Sequence, residues 1–205
     1  MKRYALAIIL PVILFIASSC AVQMAQVNPE DEVTKEEHQK LASVYETKGE
    51  YELAEREYSA AVALDKNDAG LYFALGNVYA KMIRFKDARL NYAKVVDIDP
   101  KNAAPYNNLG WAYMEEGALT KAEAATRTAL DLDGTNRPAY LDTLAEIKLR
   151  SGDGDGAEAL LLEAASIVKN DRPALKRIYT HLIAVYIKFG KAKKADEIVK
   201  KIKGL

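Results

Sequence analysis

Between Ala103 and Asp133 the apolar positions fall at helical intervals. Tyr106, Leu109, Gly110 and Tyr113 follow one another at steps of three, one and three, which places them on one face of a 3.6-residue period. Gly117 interrupts the pattern as a helix stop, and Leu119, Ala122, Thr126, Ala129 and Leu130 restart it. The segment is predicted to be a helical hairpin. Gly110 and Ala122 are small where bulky side chains would hold two helices apart, so they let the axes approach within the ordinary range of roughly 8–10 Å.

The same pattern recurs along the chain. Tyr72, Leu75, Gly76, Tyr79, Phe85, Ala88, Tyr92 and Pro100 fill its slots over residues 69–102, and Leu41, Ala42, Tyr45, Gly49, Tyr51, Ala54, Tyr58 and Ala61 fill them over residues 35–68. Downstream, Leu144, Ala145, Gly152, Ala157, Leu161 and Ala164 repeat it over 138–171, and Tyr179, Leu182, Tyr186, Gly190 and Ala195 over 172–205. The anchoring alanines 54, 88, 122, 157 and 195 are 34, 34, 35 and 38 residues apart. A period of this length predicts a stacked array of hairpins.

The slots held by Tyr106, Leu109, Gly110, Tyr113, Gly117, Ala122 and Ala129 resemble those of the tetratricopeptide repeat over about residues 35–203. The resemblance implies an all-α, right-handed superhelical solenoid of about five hairpins. Three positions depart from the pattern: Ile83 stands at the turn glycine, Gly134 at the closing proline, and Ile183 at a small residue. The 38-residue spacing predicts about one extra turn in the first helix of the last hairpin, starting near Asp171 and Pro173.

The amino terminus follows a different rule. Lys2 and Arg3 precede an apolar run from Tyr4 to Ile16, too short for a spanning helix of roughly 17–25 residues but suited to a signal-peptide core. Ala17-Ser18-Ser19-Cys20 then resembles a bacterial lipobox, with the chain's single cysteine where acylation would occur. Residues 1–19 are therefore expected to be a lipoprotein signal peptide and residues 20–33 an acylated Cys20 with a flexible tether. Lipid on Cys20 would anchor the chain to a membrane at about 0.8 kcal/mol per buried methylene. Ala21 is not the aspartate that resembles an inner-membrane retention signal, so the expected site is the periplasmic face of the outer membrane.

Charge adds an exclusion. Lys and Arg total 29, against 29 Asp and Glu, so no basic excess points to nucleic acid. A lone cysteine cannot form an intramolecular disulfide, and stability must come from helix packing. Thr34 and Glu37 have capping-box spacing, while Asn102 and Asn136 are placed to cap later helices. The last helix, from Ala192, sets Ala195, Ile198, Val199 and Ile202 on one face and lysines on the other, which reads as a polar end-cap.

No catalytic group, cofactor site or metal site is expected. Asp131-Leu132-Asp133-Gly134-Thr135 matches the nucleophile string of haloacid-dehalogenase-type phosphatases, but it ends a repeat helix where that chemistry needs a strand end. Gly152-Asp153-Gly154-Asp155-Gly156 lacks both a preceding strand and a glutamate at the twelfth loop position, so it reads as an inter-helix turn. His38 and His181 lie in different repeats without zinc or nucleophile–base spacing, and read as structural or solvent-facing. The lysines near the carboxyl end read as a solvated face.

What remains is a surface. Trp111 sits about 140° and Asn108 about 160° from the centre of the apolar stripe, so both point away from the hairpin core. The family resemblance implies that this side of each first helix lines a concave groove, facing Phe73, Asn77, Asn107, Asn108, Trp111, Glu115, Asp142, Glu146 and Arg150 into it, with Met114 and Leu149 at its flank. It also implies that Asn77 and Asn108 hold an extended peptide backbone, since an asparagine amide offers a donor and an acceptor at once. Phe73, Ala139 and Thr143 stand where a terminal-carboxylate clamp needs basic residues, so that clamp is not expected. Trp111 with Met114 and Phe73 reads as an apolar anchor for a protein partner. A leader joined to such repeats resembles the lipoproteins of type IV pilus assembly that act on an outer-membrane secretin, and also resembles adaptors that gather cell-wall hydrolases and proteases. A periplasmic holdase is the remaining reading.

Overall fold

In the computed structural model, which describes residues 33–204, ten helices follow one another. They are α1 (Lys35–Lys48), α2 (Tyr51–Leu64), α3 (Ala69–Lys81), α4 (Phe85–Ile98), α5 (Ala103–Glu115), α6 (Leu119–Leu132), α7 (Arg137–Ser151), α8 (Gly154–Ile167), α9 (Arg172–Lys188) and α10 (Ala192–Lys203). They pair as five hairpins, and each first helix from α3 onward also packs on the second helix before it. The array is all-α among the described residues. Residues Thr34–Leu205 form one compact unit. The expected leader, Cys20 and tether up to residue 32 lie outside the described residues.

Local chemistry explains the starts. Thr34 and Glu37 make the predicted reciprocal capping box on α1, and the side chains of Asp68, Asn102, Asp153 and Asp171 cap α3, α5, α8 and α9. Asn136 departs from expectation and makes no capping bond on α7. Asp133 accepts from the Thr135 and Asn136 amides instead, closing the turn one step earlier. The extra residues of the last repeat appear as predicted: α9 has 17 residues, capped by Asp171, against 13 in α3 and α5.

Packing within a hairpin depends on the small slots. A Cβ on Gly110 would lie 2.1 Å from Thr126 Oγ1 and 3.0 Å from the Ala122 carbonyl, so α5 and α6 meet backbone to side chain. In the preceding hairpin, Gly76 meets the Tyr92 ring in the same way. His38 is half-buried and hydrogen-bonds the buried Glu57 at 2.7 Å. That hydrogen bond, with Arg56, holds the Glu57 carboxyl below its usual range.

The turns carry one exception. Gly117 adopts φ +78, the left-handed conformation that lets α5 reverse into α6, whereas Ile83 adopts φ 61 in the corresponding turn with its side chain 73% exposed. A β-branched residue there costs roughly 1–2 kcal/mol. The hairpin forms nevertheless, because α3 and α4 bury Leu75, Val78, Ala88 and Tyr92 between and around them.

Candidate functional site

The first helices of the last three hairpins line an open concavity of about 280 Å³. α5 contributes Trp111, Met114 and Glu115; α7 contributes Asp142, Thr143, Glu146 and Arg150; α9 contributes His181. Residues three or four apart on one helix share a face. Slots left over by the core stripe therefore line up from one hairpin to the next. Six of the sequence-predicted groove residues meet here, while Phe73 and Asn77 on α3 and Asn107 and Asn108 on α5 are not part of it.

Its lining is a network of charges that crosses helix boundaries. Arg150 donates to Glu115 at 2.8 Å and to Glu146 at 3.0 Å, tying α7 to α5. The His181 Nδ1 lies 2.6 Å from Asp142 Oδ1, tying α9 to α7, and Arg177 approaches the other Asp142 oxygen at 3.6 Å. The hydrogen bond to Asp142 raises the His181 pKa above 6.5 against the opposing effect of burial. Arg150 and His181 are partly exposed, at 38% and 46% of their side chains, so both retain donors for an incoming group.

The apolar part differs from expectation. Trp111 is half-buried, and its ring stacks edge-on against Phe85 of α4 with centroids 5.1 Å apart and planes at 86°. It serves the junction between hairpins and the wall of the concavity together. Met114 is only 3% exposed and packs with Ala122 and Ile147, so it is floor rather than a free anchor. Phe73 packs 5.9 Å from Tyr92 instead of joining Trp111 at one anchor point.

The asparagines are likewise partly committed. The Tyr92 hydroxyl, pushed up to about 12 mainly by burial, donates to Asn77 Oδ1 at 2.9 Å, and Asn108 Nδ2 donates to the same oxygen at 3.4 Å. Asn77 thus spends its acceptor inside the fold, and its amide N–H group is what remains for a peptide. The buried Asn107 Oδ1 has no partner.

Sequence reasoning missed His181, Arg177 and Phe85. Slot counting could have found the first: His181 precedes Leu182 as Asn108 precedes Leu109 and Thr143 precedes Leu144. Phe85 belongs to a second helix, and counting along first helices alone cannot reach it. Among the described residues there is no cluster of His, Cys, Asp and Glu able to hold a metal ion, and no helix long and apolar enough to cross a membrane.

Solved structures share this architecture. MamA superposes with a TM-score of 0.68 at 24% identity, covering 82% of this chain and 89% of its own. BtubC from P. vanneervenii gives 0.71 at 24% identity, covering 82% and 78%. PilF of Pseudomonas aeruginosa gives 0.68 at 18% identity, covering 83% and 75%. At such identities the likeness is one of fold. No curated protein sequence matches the chain. A model of the TPR repeat matches residues 42–82, and a model of the tetratricopeptide repeat matches residues 83–142 and 113–182. With hairpins, slots and matched residues in agreement over most of its length, the chain belongs to the tetratricopeptide repeat family.

Proposed function

We propose that this protein is a lipid-anchored scaffold that binds protein segments along the concave side of its first helices and helps assemble an envelope complex, such as a type IV pilus or its secretin. The observation that carries the reading is the open concavity on α5, α7 and α9, where half-buried Trp111 adjoins Glu115, Asp142, Glu146, Arg150 and His181. It offers an aromatic wall with donors and acceptors at its rim, the combination that binds an extended polypeptide. The reading assigns the protein binding alone and no chemistry of its own. Cys20 carries the lipid and holds the array at the periplasmic face of the outer membrane. The fold shared with PilF supports the pilus-related form of the reading, in line with the resemblance of the leader and repeats to pilus assembly lipoproteins.

Two experiments test it in the native host. A photocrosslinking residue at Arg150 should yield one dominant protein adduct, and the same residue at Ser59, exposed on a second helix, should not. A smear of many unfolded clients from position 150 would replace the scaffold with a holdase, and a cell-wall hydrolase as sole adduct would replace the pilus pathway. Cys20→Ala should move the protein from the membrane to the soluble fraction; retention would remove the lipid anchor.

A further inference from the structure

The two ends of the array expose slots that every internal junction buries. In the first helices, Leu75, Leu109, Leu144 and Leu182 are buried, and so are Val78, Ala112, Ile147 and Val185 three residues on. The corresponding residues of α1 are Leu41, 40% exposed, and Val44, 43% exposed. In the second helices, Tyr58, Tyr92, Thr126 and Leu161 are buried, whereas Val199 in the same slot of α10 is 37% exposed. Ile202 is likewise half-exposed where Ala61, Val95, Ala129 and Ala164 are buried. Inside the array these slots meet each other: Tyr58 and Ala61 share a core with Leu71 and Leu75, and Leu161 and Ala164 share one with Leu175 and Leu182. The end of α10 is therefore half of a junction whose other half is the outer face of α1.

Charge matches the same geometry. Consecutive helices here run antiparallel, so in a continued junction the last turn of α10 adjoins the first turn of α1. That last turn holds Lys200, Lys201 and Lys203, and that first turn holds Glu36 and Glu37. The asymmetry extends to whole hairpins. Residues 172–205 contain ten basic and two acidic residues, and residues 35–68 contain nine acidic and five basic.

We infer that copies of this chain associate head to tail, α10 of one copy seating on the Leu41–Val44 face of α1 in the next and continuing the solenoid from molecule to molecule. The contact is heterologous: it uses two different patches, so it does not close on itself as a two-fold dimer does, and assembly is open-ended. One helix face on another falls short of the roughly 1,200–2,000 Å² of stable interfaces, so association is weak and concentration-dependent. The inference is independent of the groove reading and needs no lipid.

Sedimentation velocity on residues 21–205, which include the whole compact unit, tests it. The unsubstituted chain should grow in size with concentration, and raising the salt should reverse the growth as the Glu–Lys attraction is screened. Leu41→Asp and Val199→Asp should each weaken association by about tenfold or more, since each sets a carboxylate against an apolar patch. Mixed in equal amounts, the two variants should recover a complex that stops at one copy of each, because Leu41→Asp keeps a sound tail and Val199→Asp keeps a sound head. Glu36→Lys and Lys200→Glu, both at exposed positions, should each weaken association and recover it when mixed, since the two reversed charges also attract each other, and they guard against a variant that fails to fold. A monomer at every concentration, as when residues 21–32 cover α1 themselves, would overturn the inference. So would self-association by one end alone, with Val199→Asp indifferent and mixing without effect.

Discussion

Gly110 and Trp111 are neighbours in sequence on α5 and, about 100° apart around it, belong to different faces. Gly110 is buried against Thr126 with no room for a methyl group, whereas Trp111 stands half-open between Phe85 and the concavity. One face of the helix is under a packing constraint that four of the five hairpins meet with Ala or Gly, Ile183 being the exception. The other is divided between the junction with Phe85 and the open concavity. The repeat pattern is the record of the first face, and chemistry that could distinguish one partner from another lies on the second.

Substitutions can separate the two faces. Gly110→Val should have the largest effect, destabilising the protein by about 3 kcal/mol in denaturant unfolding, because α5 and α6 must move apart around a backbone carbonyl. Trp111→Ala should cost less, about 2 kcal/mol, for a half-buried ring and its edge-on contact with Phe85, yet it should also abolish the dominant crosslink at position 150. If the crosslink survives, Trp111 belongs to the junction alone. Ile83→Gly, in the turn from α3 into α4, should stabilise by about 1 kcal/mol, as relief of the left-handed strain exceeds the added freedom of the unfolded chain. A lower melting temperature would mean that the Ile83 side chain packs usefully despite its exposure.

Below these lie the purely groove-facing groups. Arg150→Ala should change stability by less than about 1 kcal/mol, since its two ion pairs are solvent-exposed, while weakening partner capture measurably. The smallest effect belongs to His181. Its pKa is raised by Asp142 and Glu146 and opposed by burial and Arg177, so the pair's stabilisation is full below 6.5 and is lost as pH rises through the raised value. His181→Gln should flatten that slope in a pH series of unfolding measurements, with a total change well under about 1 kcal/mol. Glu158 responds at the other extreme: burial would raise it, but Lys191, Lys194 and Tyr186 together hold it at about 2, so its contribution is present above 4.5 and is lost as pH falls from there through about 2.

This division explains what could be read in advance. Tyr106, Leu109, Gly110 and Tyr113 state their role by spacing alone, because burial on a helix has a period. Even the departure at Ile83 was visible as a missing glycine, and the longer α9 as a longer interval. Groove chemistry has no period. The pairing of Asp142 with His181 joins residues 39 apart, and that of Arg150 with Glu115 joins residues 35 apart, so each depends on the stacking between hairpins. The capture of Asn77 by Tyr92 is of the same kind: the slot is legible, but the partner that takes its acceptor sits on another helix.

The order of packing has a consequence for how the molecule comes apart. Each helix touches mainly the ones before and after it, with α5 reaching α7 as well. Opening therefore proceeds like a row of tiles, from whichever end has fewer neighbours. Amide hydrogens in α1, whose only buried residue is Ala42, should exchange with solvent faster than those of α5 and α7. The groove at α5 and α7 should thus lie in the slower-exchanging part of the array, and a partner bound there would meet a surface that stays ordered while the first hairpin frays.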